Sequence, residues 1–472
     1  MQKEVKHTEA AETSASSSMP TSEKQRGVYV RTFGCQMNVH DSIKILQLLS
    51  EEGYKPVKTP EEADVILVNT CSVREKPEHK VLSTVGSFRE LKENNPELVI
   101  GVGGCFARQE GKVLLKKAPL ADLIFGPDNI PELPGMLETL YAKRKPVVEV
   151  DFDRADDVRF LDVKPKTGSS SLNAMVTIMK GCDKYCSFCI VPYVRGRERY
   201  RPASEIVAEV ERLCSTGVRE VQLLGQSVTS YRWQDGEDTW ELARLLRAVD
   251  QVPGLERLRF TSPYPRDFKE ELISCYDGSV PTLCEHVHLP FQSGSNDILY
   301  RMNRRHTREQ YFEWVDALRA QRPDLAITSD VIVGFPGETE EDFEQTLDLI
   351  ERVRFDQLYS YKYSPRPRTP ARKKEQFTED EKTARLHKLQ DLQNRISKEK
   401  NQSLIGTTQE VLVEGPSRKG GGQLNGRSRG NKAVNFLGNP ELIGSLVNVK
   451  ITDGFHNSLV GDCLGVVEKD AH

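Results

Sequence analysis

Three successive sequence patterns predict a multidomain α/β chain. The first is an amino-terminal parallel α/β sheet domain, the second a central partial (β/α)6 barrel, and the third a small carboxyl-terminal antiparallel β-barrel. Strand-like apolar runs alternate with helical patterns over 26–145, and six further strand–helix pairs follow within 168–400. From 401 to 467 the chain changes to short β-rich runs separated by glycine and asparagine turns. At 472 residues it exceeds one hydrophobic core, which agrees with several domains.

In the first region GVYVRTFGC, ADVILVNTC, ELVIGVGGC and ADLIFGP read as strands, being β-branched and apolar in short runs. VHDSIKILQLLSEEG and KVLSTVGSFRELKENN between them read as helices. Such alternation implies a parallel sheet with helices packed on it. Cys35, Cys71 and Cys105 each fall at the carboxyl end of a predicted strand, one βα unit apart. Parallel strands place those ends on one edge, where ligand crevices form, so three thiolates distant in sequence are expected to converge. Cys214, Cys275, Cys284 and Cys463 lack such a pattern and read as small buried hydrophobes.

In the second region NAMVTIMKG, REVQLLGQ, RLRFTS, EHVHLPF, AITSDVIVGF and DQLYSYKYS are the strand candidates. Helices are expected over 203–216, 239–251, 267–276, 307–320, 339–353 and 378–400. Six units are too few to close an eight-stranded barrel, and chemistry in such folds sits on the loops after the strands. Polar groups gather there: Gln226 and Ser227, Thr261 and Ser262, Gln292 and Ser293, and the turn at Gly334. In the third region the stretch SRKGGGQLNGRSRGNK reads as a loop carrying Arg418, Lys419, Arg427, Arg429 and Lys432 without an acidic residue. Arginine forks beside glycine suit phosphate, and the alternative is a solvated loop.

The formal charge of −4 excludes a globally basic nucleic-acid binder but permits local basic patches. No run approaches the roughly 18 apolar residues of a membrane span. Residues 1–25 carry no apolar segment and read as a disordered tail, with 146–167 as a linker. With no export signal, a reducing cytoplasm is expected, where ten cysteines favour metal binding or catalysis over disulfides.

GCDKYCSFC holds the compact trio Cys182, Cys186 and Cys189 directly after the first barrel strand. Zinc would need a fourth Cys or His nearby, and the next is Cys214, inside a predicted helix. A [4Fe–4S] cluster held by three thiolates leaves one iron open to a small molecule. This CxxxCxxC set resembles the signature of the radical S-adenosylmethionine enzymes. In that family the open iron binds the amino and carboxylate groups of S-adenosylmethionine, whose sulfonium is cleaved after electron transfer.

The resemblance covers 27–467. TFGCQMN, NTCSVRE and GGCFARQ are similar to the amino-terminal domain of the methylthiotransferases, while LLGQSVTSY, HLPFQSGSN and VIVGFPGET are similar to their core motifs. The carboxyl-terminal barrel resembles their RNA-contacting TRAM domain. The resemblance implies two [4Fe–4S] clusters, an auxiliary one on Cys35, Cys71 and Cys105 and a radical-generating one on Cys182, Cys186 and Cys189. It implies S-adenosylmethionine as both methyl donor and radical source, with Gln226, Ser262, Gln292, Ser293 and Gly334 as cofactor contacts. Gln226, Ser262, Gln292 and Ser293 are equally readable as strand-end caps, and the pattern around Ile332 and Gly334 departs from the family's usual glycine spacing.

The implied reaction adds a methylthio group to carbon 2 of N(6)-dimethylallyladenosine at position 37 of tRNA. The implied partners are the anticodon stem-loop, an electron donor such as flavodoxin or ferredoxin, and a sulfur source. QMN after Cys35 favours this branch over those acting on threonylcarbamoyl-adenosine or a ribosomal protein. Arg195, Arg197, Arg199 and Arg201, the basic run from Lys362 to Lys374, and the loop bearing Arg418, Lys419, Arg427 and Arg429 are the expected phosphate contacts. Non-enzymatic alternatives are an electron-transfer iron–sulfur protein or a zinc RNA-binding module. Ferredoxin-type clusters use four cysteines each, against two sets of three here.

Overall fold

The computed structural model describes residues 25–72, 77–152, 160–161, 172–374, 376–418 and 420–467. The expected tail up to residue 24, most of the 146–167 linker and Lys419 lie outside the described residues.

The amino-terminal domain runs β1 (Gly27–Thr32), α1 (Gln36–Glu51), β2 (Lys55–Pro56), β3 (Val65–Thr70), α2 (Pro77–Ser87), α3 (Arg89–Asn94) and β4 (Val99–Gly104). It continues with α4 (Cys105–Glu110), α5 (Val113–Lys117), β5 (Leu123–Phe125), α6 (Leu133–Lys143) and β6 (Val147–Glu149). Its six strands form one parallel sheet in the order β2-β1-β3-β4-β5-β6. Val65 to Thr70 and Val99 to Gly104 are buried throughout, because central strands of a doubly covered sheet meet helices on both faces. β2 and β6, absent from the sequence reading, are short edge strands whose residues are exposed or half-buried.

The central domain contains β7 (Asn173–Thr177), β8 (Met179–Lys180), α7 (Val191–Arg195), β9 (Arg199–Tyr200), α8 (Ala203–Ser215) and β10 (Glu220–Leu224). Then come β11 (Arg232–Asp235), β12 (Asp238–Glu241), α9 (Leu242–Asp250), β13 (Arg257–Phe260), α10 (Glu270–Ile273), β14 (His286–His288) and α11 (Asn296–Arg301). The domain ends with α12 (Arg308–Gln321), β15 (Ala326–Val333), α13 (Glu340–Val353), β16 (Gln357–Lys362) and α14 (Glu379–Gln402).

The six expected strands form two parallel three-stranded sheets, β13-β10-β7 and β14-β15-β16, linked by a parallel bridge from Leu258 to Leu283. The result is an open half-barrel. Alternation along each strand separates two surfaces: Val176, Val221, Leu223, Leu258, Val287, Ile327 and Val331 pack against the helices. The intervening residues line a lumen. Capping boxes at Thr307, Thr339 and Thr378 start α12, α13 and α14. The helix expected over 239–251 begins only at Leu242, because the residues before it pair with β11 in a hairpin that sets Trp233 opposite Trp240.

The last domain is a closed barrel, in the order β17-β18-β19-β21-β20. It comprises β17 (Thr408–Pro416), β18 (Gln423–Ser428), β19 (Ala433–Leu437), β20 (Leu446–Gly454) and β21 (Leu459–Val466). Closure is made by one parallel pair, β19 with β21, among otherwise antiparallel pairs. Six residues of the stretch expected as a basic loop are therefore strand β18, and residues 428–432 form the turn after it.

That turn docks on the amino-terminal ends of the half-barrel strands. Arg257 Nη1 donates to the Arg427 carbonyl at 2.6 Å, and Arg259 donates to the carbonyls of Ser428 and Arg429, both at 2.9 Å. In return Arg429 Nε binds Glu285 at 2.7 Å, and Lys432 binds Asp356 at 2.7 Å. The turn thus caps the lumen at the end opposite the cysteine loops. No helix among the described residues is long and apolar enough to cross a membrane.

Candidate functional site

The ends of β1, β3 and β4 bring the first cysteine trio together. Cys35 precedes α1, Cys71 directly follows β3, and Cys105 opens α4. Two glycines permit the approach. A Cβ on Gly34 (φ 138°) would stand 2.6 Å from the Cys71 Cβ, and one on Gly104 (φ 92°) 2.4 Å from the Thr70 carbonyl. The Cys35 thiol donates to Asn38 Oδ1 at 3.3 Å. Asn38 Nδ2 in turn reaches Asn69 Oδ1 (3.2 Å) and the Thr70 carbonyl (3.0 Å), while Asn69 Nδ2 returns to the Asn38 carbonyl at 2.9 Å. This buried asparagine pair sets the spacing of two cysteine loops. The sequence reading quoted both residues within motifs and assigned them no role.

The second trio lies on the loop after β8. A Cβ on Gly181 (φ 80°) would fall 1.9 Å from the Arg197 carbonyl, so only glycine lets the loop turn there. Cys182 N donates to the Gly196 carbonyl at 3.1 Å and Cys189 N to the Cys186 carbonyl at 2.9 Å. Residues 300–305 clamp the other side: Ser187 N donates to the Met302 carbonyl, and Asn303 Nδ2 to the Tyr185 carbonyl. Tyr185 takes a left-handed φ of 47° to make the fit.

The sulfur chemistry of both trios fits a cationic cluster. Hydrogen bonding with Cys71 pushes the Cys35 thiol well up, and burial does the same to Cys105. Burial, with Cys186 adding to it, pushes Cys182 up to about 12 and also raises Cys189. Thiolates crowded this way require positive charge among them. The protein supplies part of it: Arg195 Nε lies 3.2 Å from Cys105 Sγ, and Arg304 Nη1 3.6 Å from Cys186 Sγ. Among the described residues no three His, Cys, Asp or Glu side chains gather around one point for a single ion. A four-iron cube binds each thiolate at a separate iron, so its ligands stand apart.

The two sites adjoin. Cys105 shares an apolar cluster with Ile190 and Val194, where Ile190 directly follows Cys189. Arg195, at the end of α7, spans the contact by also binding Asp41 at 2.6 Å. The lumen of the half-barrel opens beside them. Its wall carries a polar chain in which His286 and His288 each lie 3.0 Å from Thr328 Oγ1, and His288 meets Asp330 at 3.3 Å. Tyr359 packs edge-on against His288, and both Tyr359 and Tyr361 stay exposed. These lumen groups were missed. Their signal was alternation: HVH, TSD and YSY each place two polar or aromatic residues on one strand face.

The expected cofactor contacts divide. Gln226 Oε1 accepts from Gly181 N at 2.5 Å, and its Nε2 is buried without a partner beside the second trio. Ser262 and Gln292 occupy left-handed conformations at 60° and 68° on the cysteine-bearing edge. Ser293 is fully buried, and its hydroxyl caps Ser295 N at 3.3 Å. Gly334 N donates to Glu338 at 2.7 Å, and its missing Cβ leaves room for Lys382.

The expected phosphate contacts divide more sharply. Arg195 is buried between Asp41 and Cys105, Arg199 pairs with Asp128 at 3.0 Å, and Arg201 is buried against Glu209. These three face inward because the chain from α7 to α8 runs between two domains. Arg429 is held by Glu285 and the carbonyls of Pro281 and Leu283, and Arg427 binds Asn431 within its own hairpin. Arg197, Arg368, Arg372 and Arg418 remain exposed. Cys275 and Cys284 are buried as expected, while Cys214 and Cys463 are half-buried.

Comparison with known proteins agrees with this architecture. Residues 27–126 match the uncharacterized protein family UPF0004, residues 176–350 the radical SAM superfamily, and residues 402–464 the TRAM domain. The tRNA-2-methylthio-N(6)-dimethylallyladenosine synthase of Geobacter metallireducens is 50% identical over 92% of this chain and 98% of its own length. The enzyme of the same name from Haemophilus influenzae (strain PittGG) is 47% identical over 92% of each chain. Among solved structures, the radical S-adenosylmethionine methyltransferase TsrM from Kitasatospora setae superposes with a TM-score of 0.51 at 14% identity. It covers 74% of this chain and 75% of its own, a likeness of fold. Identity of this extent across all three domains places the chain in the radical S-adenosylmethionine tRNA methylthiotransferase family.

Proposed function

We propose that the protein adds a methylthio group to carbon 2 of N(6)-dimethylallyladenosine at position 37 of tRNA. The observation that carries this reading is the pair of three-cysteine sites facing one another across Cys105, Ile190 and Val194. Cys35, Cys71 and Cys105 would hold one [4Fe–4S] cluster, and Cys182, Cys186 and Cys189 the other. When bound, the barrel cluster supplies the reducing electron that cleaves S-adenosylmethionine, and the auxiliary cluster supplies a place for the transferable sulfur.

The chain's own residues do the rest. Gln226 ties the cysteine loop to the end of β10 and offers its free Nε2 toward the cofactor. Arg304 and Arg195 offset thiolate charge at the two sites. Between the two sites Cys105, Ile190 and Val194 form a buried apolar contact. A base at position 37 stacks in the anticodon loop and must be splayed out to reach the lumen. Tyr359 and Tyr361 offer it ring faces, and Asp330 with His288 offers hydrogen-bonding edges. Of the cations expected to contact phosphate, Arg368, Arg372 and Arg418 are exposed, and Arg197 is exposed but bonded to Asp183 at 2.6 Å. A flavodoxin or ferredoxin would supply electrons, and the reaction would run in the cytoplasm with its tRNA.

The test separates the trios. Protein with Cys35, Cys71 and Cys105 changed to Ala should still make 5′-deoxyadenosine from S-adenosylmethionine but no methylthio-adenosine. Protein lacking Cys182, Cys186 and Cys189 should make neither. Normal methylthiolation by the first variant would refute the assignment.

A further inference from the structure

Arg195 ends α7 and Gly196 follows it, and together these two residues touch both cysteine trios. The Gly196 carbonyl accepts from Cys182 N at 3.1 Å, which fastens the segment to the barrel site. The Arg195 side chain runs the other way, across the contact between the domains. Its Nε donates to Cys105 Sγ at 3.2 Å, and its Nη2 binds Asp41 Oδ2 at 2.6 Å. Asp41 lies on α1, the helix that Cys35 precedes, so both partners belong to the amino-terminal domain. The guanidinium is fixed in place by burial, with Arg195 6% and Cys105 4% exposed. Its backbone is fixed too, because the Arg195 carbonyl accepts from Arg199 Nη2 at 3.1 Å. The neighbouring carboxylates are engaged elsewhere, Asp128 by Lys180 and Arg199, and Glu209 by Lys44 and Arg201.

A hydrogen bond to a ligating sulfur draws negative charge away from an iron–sulfur cluster, and a fixed cation nearby acts in the same sense. Both favour the reduced cluster, which carries one more negative charge. Burial strengthens the effect, because little water is present to screen it. We infer that Arg195 acts through Cys105 to raise the reduction potential of the auxiliary cluster, with Asp41 holding the guanidinium and offsetting part of its charge. The central domain thereby sets a property of a cluster whose three cysteines all lie in the amino-terminal domain. The cation of the barrel site is a different one, Arg304, at 3.6 Å from Cys186 Sγ. This inference rests on the reading of Cys35, Cys71 and Cys105 as a [4Fe–4S] site.

The test is an anaerobic redox titration of the holoenzyme followed by electron paramagnetic resonance, without and then with S-adenosylhomocysteine. That molecule has the amino and carboxylate groups that bind an open iron but no sulfonium to cleave, so the transition it shifts belongs to the barrel cluster. At a fixed potential, Arg195→Met should lower the reduced-to-oxidised ratio of the other cluster roughly tenfold, which is about 59 mV for a one-electron couple. Asp41→Asn should raise that ratio, because the amide oxygen still accepts from Nη2 while the opposing charge is gone. The barrel transition should move less in both variants. A packing role alone would move neither ratio, or both in one direction, and either result would overturn the inference. Asp41→Asn decides by itself where Arg195→Met fails to hold its clusters, since a ratio that falls or stays the same refutes the assigned sign. Failure of the underlying reading would show separately, as a single transition in the wild-type holoenzyme, which would overturn the cluster assignment and this inference with it.

Discussion

Arg195→Met removes the one cation that joins Asp41 to Cys105, and its consequence is calculable from the contact. Truncating one partner of a buried ion pair costs about 3–5 kcal/mol, because the other charge stays buried and uncompensated. The Asp41 side chain is 15% exposed, so water recovers a little of this and the lower end, about 3 kcal/mol, applies. The loss falls on the contact between the first two domains, where α4 meets α7. Urea unfolding of the anaerobic holoenzyme, followed by circular dichroism and cluster absorbance, reads it. Arg195→Met with Asp41→Leu removes the stranded carboxylate and should recover more than half of the lost stability, as coupled neighbours do in a double-mutant cycle. The salt dependence of tRNA binding should stay unchanged, whereas a lost phosphate contact would flatten it by about 0.7–0.9 log unit. A single variant within about 0.5 kcal/mol of wild type, with a flattened salt slope, would return Arg195 to the RNA surface and refute its structural role.

Arg418→Ala should flatten the salt dependence of tRNA binding by up to about 0.7–0.9 log unit; Arg429→Met should leave the slope alone and loosen the docked barrel, read by proteolysis between the domains. Burial alone would raise the Asp128 carboxyl, but Lys180 and Arg199 outweigh it and hold its pKa below the ordinary 3.8. Asp128 therefore contributes stability that is fully present above that value and lost as pH falls through its lower folded value, so Asp128→Asn should flatten the acid limb of the stability profile. Gly334→Ala adds a Cβ 2.4 Å from Lys382 Cγ at a φ of 70°. With Lys382 itself buried, overpacking and left-handed strain together should cost about 2–4 kcal/mol in thermal or urea unfolding, and a neutral result would remove the packing argument.

The sequence by itself determined the strand ends and therefore both cysteine trios. Cys35, Cys71, Cys105 and Cys182 lie at or close behind β-branched runs, and parallel strands bring their carboxyl ends to one edge whatever the rest of the chain does. The six half-barrel strands were legible for the same local reason. Only the tertiary structure decided what the arginines do. A basic residue reads the same in sequence whether water or another domain faces it, and Arg195, Arg199, Arg201 and Arg429 found carboxylates or carbonyls on segments far along the chain. The lumen groups His288, Asp330, Tyr359 and Tyr361 became a set only when three strands were placed side by side. The pocket lined by Asp41, Lys44, Arg195 and Glu209 forms only where α1 meets the β7–α8 side of the half-barrel. Strand periodicity is a property of neighbouring residues, whereas the partner of a charge is set by whichever surface folding brings against it.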